Sequence, residues 1–327
     1  MKSWWIRGAG RKLVLELRDA PDTEPKPGEL AVRVRAASLN RGEFIVSLGL
    51  HAAAAEAKPA GQECSGEVLK VGDGVTGFAP GDRVMGRARG AFAELAIVDA
   101  REAIPIPARL SWEEAASVPL VFLVSYDMLY PGGGLKPGEW LLITGVSSGV
   151  GVASLQLAKV IGASVIGTSG SAAKLARLKP LGLDVGVQGR GGGFLEAALK
   201  ATDGKGVDLV VNNVGGTVFA ECVRALAYQG RLATVGYLDR TMTSEIDLDA
   251  LHAKRLRLFG VSNKLRTAAE RAETVRGFVR DVLPALADGR IRPLVDKVFG
   301  FAELPAAQAY MESDAQVGKI VVAMGER

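Results

Sequence analysis

Apolar and polar residues alternate in short runs through the first third of the chain. Leu30-Ala31-Val32-Arg33-Val34-Arg35-Ala36 and Gly66-Glu67-Val68-Leu69-Lys70-Val71-Gly72 repeat every second residue, the period of a strand with one buried face. Asp73-Gly74 marks a turn behind the second run. Pro80-Gly81-Asp82-Arg83-Val84-Met85 is a turn feeding another strand, and Ala93-Glu94-Leu95-Ala96-Ile97-Val98 follows it. Short strands between Gly, Pro and Asp turns predict a small barrel-like β domain.

Beyond residue 110 the pattern changes. Ser111 with Glu114 three residues on is a capping box and predicts a helix start. Trp140-Leu141-Leu142-Ile143-Thr144 is almost wholly apolar, so it should be a strand buried on both faces, as in a parallel sheet covered by helices. Helices are then expected over 152–161, 172–181, 194–201 and 218–227, with strands over 164–168, 185–187, 207–212 and 231–235. This alternation over about 120 residues predicts an α/β doubly wound sheet. A long helix over 267–288 and a strand over 317–324 should end the chain.

At 327 residues the chain has room for two domains, and its 48% apolar and 23% charged content is that of a globular protein. The 41 glycines follow no collagen-like period, so they are read as turns. A net charge of +4 is spread along the chain and suits an anionic ligand such as a dinucleotide better than nucleic acid. The densest cluster, Lys254-Arg255-Leu256-Arg257, is interrupted by an apolar residue and is expected to be a solvated strand face. Cys64 and Cys222 make no disulfide framework and fit a reducing compartment. No apolar run is long enough for a signal peptide or a membrane span, so a cytoplasmic protein without membrane or nucleic-acid partners is expected.

The candidate chemistry centres on Thr144-Gly145-Val146-Ser147-Ser148-Gly149-Val150-Gly151. A buried strand running into a glycine turn and a helix offers free N–H groups and positive potential to a pyrophosphate. Gly145, Ser147, Ser148, Gly149, Val150 and Gly151 are therefore cofactor candidates, although Ser148 stands where the usual Gly-x-Gly-x-x-Gly spacing has its middle glycine. An NAD site closes the next strand with a carboxylate; Thr168-Ser169-Gly170-Ser171-Ala172-Ala173-Lys174 has none. Thr168, Ser169 and Ser171 supply hydroxyls and Lys174 a cation, which suits the 2′-phosphate of NADP(H). Lys174 is alternatively a solvent-facing helix lysine, and Arg177 a weaker partner.

Several stretches together resemble the medium-chain dehydrogenase/reductase superfamily, on its quinone oxidoreductase and enoyl reductase side. They are Gly61-Gln62-Glu63-Cys64-Ser65-Gly66-Glu67-Val68, Pro80-Gly81-Asp82-Arg83-Val84, Gly90-Ala91-Phe92-Ala93-Glu94, Leu135-Lys136-Pro137-Gly138-Glu139 and Gly318-Lys319-Ile320-Val321-Val322. The stretch from Gly90 to Tyr126 is similar to the enoyl reductase modules of polyketide synthases. The resemblance covers nearly the whole chain. It implies a GroES-like β-barrel-type catalytic domain over 1–121 and 264–327, and a Rossmann doubly wound parallel-sheet domain over 122–263, with the active site between them. It also implies a homodimer through Rossmann edge strands, near Arg257-Leu258-Phe259-Gly260-Val261.

The zinc-binding branch carries Gly-His-Glu where this chain has Gly61-Gln62-Glu63, and a cysteine near Ser38-Leu39-Asn40. Its structural-zinc lobe is replaced by the short Met85-Gly86-Arg87-Ala88-Arg89-Gly90. His51 and His252 match no motif, and Cys64 reads as a buried small residue, so no metal is expected. Without a Lewis acid, hydride donation from NADPH to a quinone or an α,β-unsaturated carbonyl is the expected reaction. A free-standing enoyl-thioester (enoyl-CoA) reductase and a non-catalytic NADPH-binding protein are the alternatives.

Asn40, in Asn40-Arg41-Gly42-Glu43, either orients substrate or nicotinamide ribose or braces its loop. Tyr126 and Tyr237 are either hydrogen-bond donors to substrate or packing residues. Asn213, Val214 and Gly236 end later strands where the family contacts ribose and nicotinamide, and Asn263 closes the same edge. Val124 where the family often has threonine, Asn212 at a commonly acidic position, and a loop 47–49 without the quinone reductase arginine are departures from the pattern.

Overall fold

The computed structural model describes residues 1–9, 12–44 and 56–325; the 47–49 loop and His51 lie outside them. Its residues group into two units, Met1–Leu120 with Thr267–Ala287 and Pro293–Arg327, and Val121–Arg266 with Asp288–Arg292.

The first unit opens with a hairpin, β1 (Lys2–Ala9) and β2 (Lys12–Asp19), flanked by the two-residue β4 (Lys58–Pro59). Next come β3 (Glu29–Ser38), β5 (Glu63–Val71), β6 (Arg83–Arg87), β7 (Leu95–Asp99) and β8 (Ala103–Pro105). The alternation around Val32 does what it predicts: β3 pairs antiparallel with β5 and β7, and its apolar residues Leu30, Val32 and Val34 enter one core with Phe92 and Val98. The hairpin had no assignment from sequence, although Leu13, Leu15 and Leu17 alternate and Trp4 and Ile6 are buried. A capping box at Ser111 and Glu114 starts α1 (Trp112–Ala116); the next helix, α2 (Pro119–Asp127), belongs to the second unit from Val121 onward.

The second unit is the doubly wound sheet. Its strands are β9 (Trp140–Thr144), β10 (Ser164–Ser169), β11 (Val185–Gln188), β12 (Val207–Asn212), β13 (Leu226–Thr234) and β14 (Arg257–Gly260). All neighbours are parallel, in the order β11-β10-β9-β12-β13-β14, which is the Rossmann order. Leu141, Leu142 and Ile143 are wholly buried, as an apolar strand covered on both faces must be. The covering helices are α3 (Gly149–Ile161), α4 (Ala172–Leu178), α5 (Leu195–Ala201), α6 (Gly216–Ala225) and α7 (Leu248–Ala253). The strand order reverses between β9 and β12, and ligands bind such sheets beyond the strand ends at that reversal.

Four expectations need correction. The helix expected over 218–227 is α6, which ends at Ala225, and β13 starts at Leu226 rather than at 231. The helix over 172–181 stops at Leu178, and Lys179–Leu181 tightens into a 3-10 turn around Pro180. The helix over 267–288 is broken into α8 (Ala268–Asp281) and α9 (Leu283–Asp288), because Pro284 lacks the amide that would continue it. Lys254-Arg255-Leu256-Arg257 is a turn rather than a strand face. Lys254 caps α7 and donates to Arg224 O (3.1 Å) and Leu226 O (2.7 Å), Arg255 has φ +53°, and only Arg257 belongs to β14.

After α9 come β15 (Val295–Gly300), α10 (Leu304–Glu312) and β16 (Lys319–Ala323). β16 pairs antiparallel with β3, which carries the end of the chain back into the first unit's sheet. Residues 264–266 and 288–292 group with the second unit instead, where Arg266 pairs with Asp127 and Arg292 N donates to Gln156 Oε1 (2.8 Å).

Candidate active site

The glycine turn follows β9 directly. Gly145 has φ +64°, a left-handed conformation that glycine adopts without strain. Its N–H donates to Thr168 Oγ1 (3.1 Å), and Val146 N donates to Thr168 O (2.9 Å), so the ends of β9 and β10 are tied together. Ser148 caps α3, its hydroxyl accepting from Gly151 N (3.1 Å). The serine that breaks the usual glycine spacing thus earns its place as the helix cap. A Cβ on Gly151 would lie 2.6 Å from both Gly145 O and Val146 O, so only glycine lets the first turn of α3 pack on the strand end. Gly149 and Val150 form that turn beside it.

At the end of β10, Thr168 and Ser169 are buried. Ser147 Oγ and Ser169 Oγ lie 3.3 Å apart, and Ser171 caps α4 by accepting from Lys174 N (3.4 Å). Lys174 is half-buried here, and Arg177 is exposed further along α4. Ser147, Thr168, Ser169, Ser171 and Lys174 are therefore one neighbourhood, and no carboxylate belongs to the stretch from Thr168 to Lys174.

A neutral polar cluster organises the ends of β9 and β12. Thr144 Oγ1 donates to Asn212 Oδ1 (3.0 Å) and accepts from Asn213 N (3.0 Å) and Val214 N (3.3 Å). Asn212 Oδ1 also accepts from Val214 N and Gly215 N (both 3.1 Å), while its amide donates to Gly215 O (3.0 Å). Asn213 Nδ2 donates to Thr144 O (2.9 Å). Thr144 and Asn212 were not site candidates; they shape the backbone on which Asn213 and Val214 stand. Gly236 presses on this corner, since its Cβ would lie 2.8 Å from Asn213 O.

The chain beyond β13 is held by a residue without a motif, Asp239. Its carboxylate accepts from Thr217 N (2.7 Å), Thr217 Oγ1 (2.6 Å) and Thr241 N (2.8 Å). Partial burial pushes its pKa up, but these hydrogen bonds outweigh that and hold it below the usual carboxylate range. Gly215 (φ +128°) makes the clasp possible, for a Cβ there would lie 2.1 Å from Asp239 Oδ1. The clasp leaves Tyr237 and Leu238 exposed, with Leu238 Cδ1 3.6 Å from where a Cβ on Gly145 would stand. Asn263 is half-buried just after β14.

Tyr126 is placed differently. It is buried within α2 and stacks on Tyr130 with ring centroids 4.7 Å apart.

In the first unit Asn40 belongs to a buried ionic cluster. Asn40 Nδ2 donates to Glu63 Oε1 (2.7 Å) and Glu43 Oε1 (3.1 Å), and its Oδ1 accepts from Lys319 Nζ (2.7 Å). Both amide hydrogens are spent in bracing. Glu63, fully buried, also takes Ser38 Oγ (2.6 Å), Leu120 N (2.7 Å) and Lys319 Nζ (2.9 Å). Burial of the Glu43 carboxyl raises its pKa to about 8, against the Asn40 hydrogen bond and with help from the Glu63 charge. Gln62, in the place of the zinc branch's histidine, is exposed. Cys64 and Cys222 are both buried free thiols.

Two family models match the chain: the alcohol dehydrogenase GroES-like domain over residues 26–108, and the zinc-binding dehydrogenase over residues 149–276. The chain belongs to the medium-chain dehydrogenase/reductase superfamily, a group of oxidoreductases. It is 30% identical to the acryloyl-coenzyme A reductase of Metallosphaera sedula, over 96% of this chain and 97% of that one. It is 34% identical to the spectinabilin polyketide synthase system protein NorB of Streptomyces orinoci, over 98% of this chain but 14% of that protein. Like NorB, the other polyketide synthases it matches are far longer, and the chain spans only 5–14% of them. The structure of the Escherichia coli quinone oxidoreductase complexed with NADPH superimposes with a TM-score of 0.87 at 26% identity, covering 99% of this chain and all of that one.

Proposed function

We propose that this protein is an NADPH-dependent oxidoreductase that delivers hydride to a quinone or an α,β-unsaturated carbonyl without a metal. The observation that carries the reading is the acid-free end of β10, lined by Thr168, Ser169, Ser171 and Lys174 and tied to the Gly145–Thr168 corner. A dinucleotide fits these residues. Gly151 lets the first turn of α3 close against Gly145 and Val146, at the helix start whose free amides suit a diphosphate. NADPH supplies the hydride when bound. The chain's part is to hold and orient it: the α3 amides take the diphosphate, Asn213 and Val214 take the ribose side, and Asn263 closes the edge. Exposed Tyr237 donates a hydrogen bond from Oη to the acceptor carbonyl oxygen, which gains charge as hydride arrives. Leu238 keeps water from the turn.

Zinc does not fit the described residues of the first unit. A zinc site needs several Cys, His or carboxylate ligands converging, but Glu63 is neutralised by Lys319 and Gln62 points to solvent. Zinc at one equivalent in the purified protein would overturn this part of the reading. A second acceptor class is favoured by full-length similarity to an acryloyl-coenzyme A reductase: the thioester of an enoyl acid. The deciding assay follows NADPH consumption with 9,10-phenanthrenequinone, a simple enone and crotonyl-CoA. Turnover of either of the first two supports the main reading; turnover of crotonyl-CoA alone supports the second. NADPH binding without any turnover would leave a cofactor-binding protein. We also propose a homodimer through the β14 edge, where Leu258 and Phe259 are only half-buried; light scattering would test it.

A further inference from the structure

An exposed segment has no core to hold it still, yet the chain from Tyr237 to Thr243 is fastened along its length. Arg240 N donates to Tyr237 O (3.1 Å), closing a turn, and Arg240 itself has φ +63°. A side chain in that left-handed region is strained and persists only where its surroundings enforce it. The enforcement comes from the Asp239 carboxylate, which takes Thr217 N, Thr217 Oγ1 and Thr241 N. Asp239 N adds a bond to Val214 O (2.9 Å), and Gly216 N one to Thr241 O (3.0 Å). Gly216, like Gly215, is roofed by this segment: a Cβ on it would lie 2.5 Å from Thr243 O and 2.7 Å from Thr241 Cγ2. Two consecutive glycines and one carboxylate thus lock the turn onto the start of α6, next to Asn213 and Val214.

We propose that Asp239 is a positioning residue for hydride transfer, acting through the Tyr237 hydroxyl. This rests on the reading of Tyr237 as donor to the acceptor carbonyl, and adds what aims it. Tyr237 is 39% exposed, so no core fixes its ring; its aim comes from the backbone that Asp239 holds two residues away. A donor stabilises the charge growing on an oxygen only if it is already in place, because turning it during the reaction cancels part of the gain. Misplacement by about 1 Å is enough to lose about 100-fold in rate. The Asp239 carboxylate bonds to α6 and to its own loop rather than to the glycine turn, so cofactor binding does not depend on it.

The test compares wild type, Asp239→Ala, Tyr237→Phe and the double variant. It measures the hydride-transfer rate at saturating NADPH, with whichever of the three acceptors wild type turns over fastest, and the NADPH dissociation constant by fluorescence titration. Tyr237→Phe should slow transfer by about 100-fold. Asp239→Ala should slow it by about 10- to 100-fold with NADPH affinity within about 2-fold of wild type, which also shows that the variant is folded. In the double variant the losses should not multiply: its rate should lie within about 3-fold of Tyr237→Phe alone. Asp239→Asn keeps the shape and one accepting oxygen, and gives the same comparison at smaller amplitude. Losses that multiply, or an Asp239→Ala protein that loses NADPH affinity as much as rate, overturn the role of Asp239 and leave it a cap for α6. An Asp239→Ala rate within about 3-fold of wild type does the same. If Tyr237→Phe turns over like wild type, the reading of Tyr237 as donor falls, and this proposal with it.

Discussion

The two units bury their polarity in opposite ways. At the corner of the parallel sheet, Thr144, Asn212 and Asn213 form a neutral cluster in which hydroxyl and amides satisfy backbone groups within hydrogen-bond distance. In the first unit's mixed sheet, Glu63 of β5 and Lys319 of β16 bring full charges 2.9 Å apart, with Ser38, Asn40 and two backbone groups sharing the load. A neutral cluster costs little to bury once its bonds are made, and is indifferent to pH. A buried ion pair is costly to break, because either partner left alone is an uncompensated charge. Its neighbour Glu43 is raised mainly by its own burial, while Glu63 and Lys319 act on it in opposite directions.

Breaking the ionic cluster should have the largest effect. Lys319→Met leaves Glu63 charged and buried, and should cost about 3–5 kcal/mol in urea unfolding. Adding Glu63→Gln should restore a large part of that loss; a Lys319→Met cost under about 1 kcal/mol would erase the contrast between the clusters. Next in size, Thr144→Val leaves Asn212 Oδ1 and the Asn213 amide short of a partner. It should cost about 1–3 kcal/mol, independent of pH, and weaken NADPH binding measured on the same sample. The last prediction is the one that pH reveals. Glu43 keeps its proton in the folded protein up to about pH 8, whereas the unfolded chain releases it near 4.5. The folded state therefore holds the extra proton between those values. The stability this gives is complete below about 4.5 and is lost as pH rises through about 8. Glu43→Gln should flatten that decline in denaturation curves taken from pH 5 to pH 8.5; an unchanged slope would locate the pH dependence elsewhere.

Hydrophobic periodicity carried the strands well, because burial on one face or two leaves a mark on consecutive residues. Trp140–Thr144 and Val207–Asn212 have the bounds their sequence suggests. Helix ends were less legible: Pro180 and Pro284 act through an amide they lack, and the apolar pattern runs past both. In the candidate site, the glycine turn is local and its parts could be named from sequence. Thr144 and Asn212 lie 68 residues apart, and their hydrogen bond leaves no local signature. Tyr126 and Tyr237 look alike as sequence; one is stacked in the core and the other is exposed, a difference fixed by tertiary packing.

The two cysteines carry a consequence for durability. Quinones and enones are soft electrophiles that alkylate thiolates, so a protein that turns them over is exposed to inactivation by its own substrates. Burial, reinforced by the Glu63 charge, pushes the Cys64 thiol up to about 12, and burial pushes Cys222 up as well. At neutral pH a thiol of that pKa is ionised only about once in 100,000 molecules, and neither sulfur meets solvent. The chain has no other cysteine to be attacked. Were quinones or enones its acceptors, as proposed above, they would meet no ionised sulfur on this protein at neutral pH.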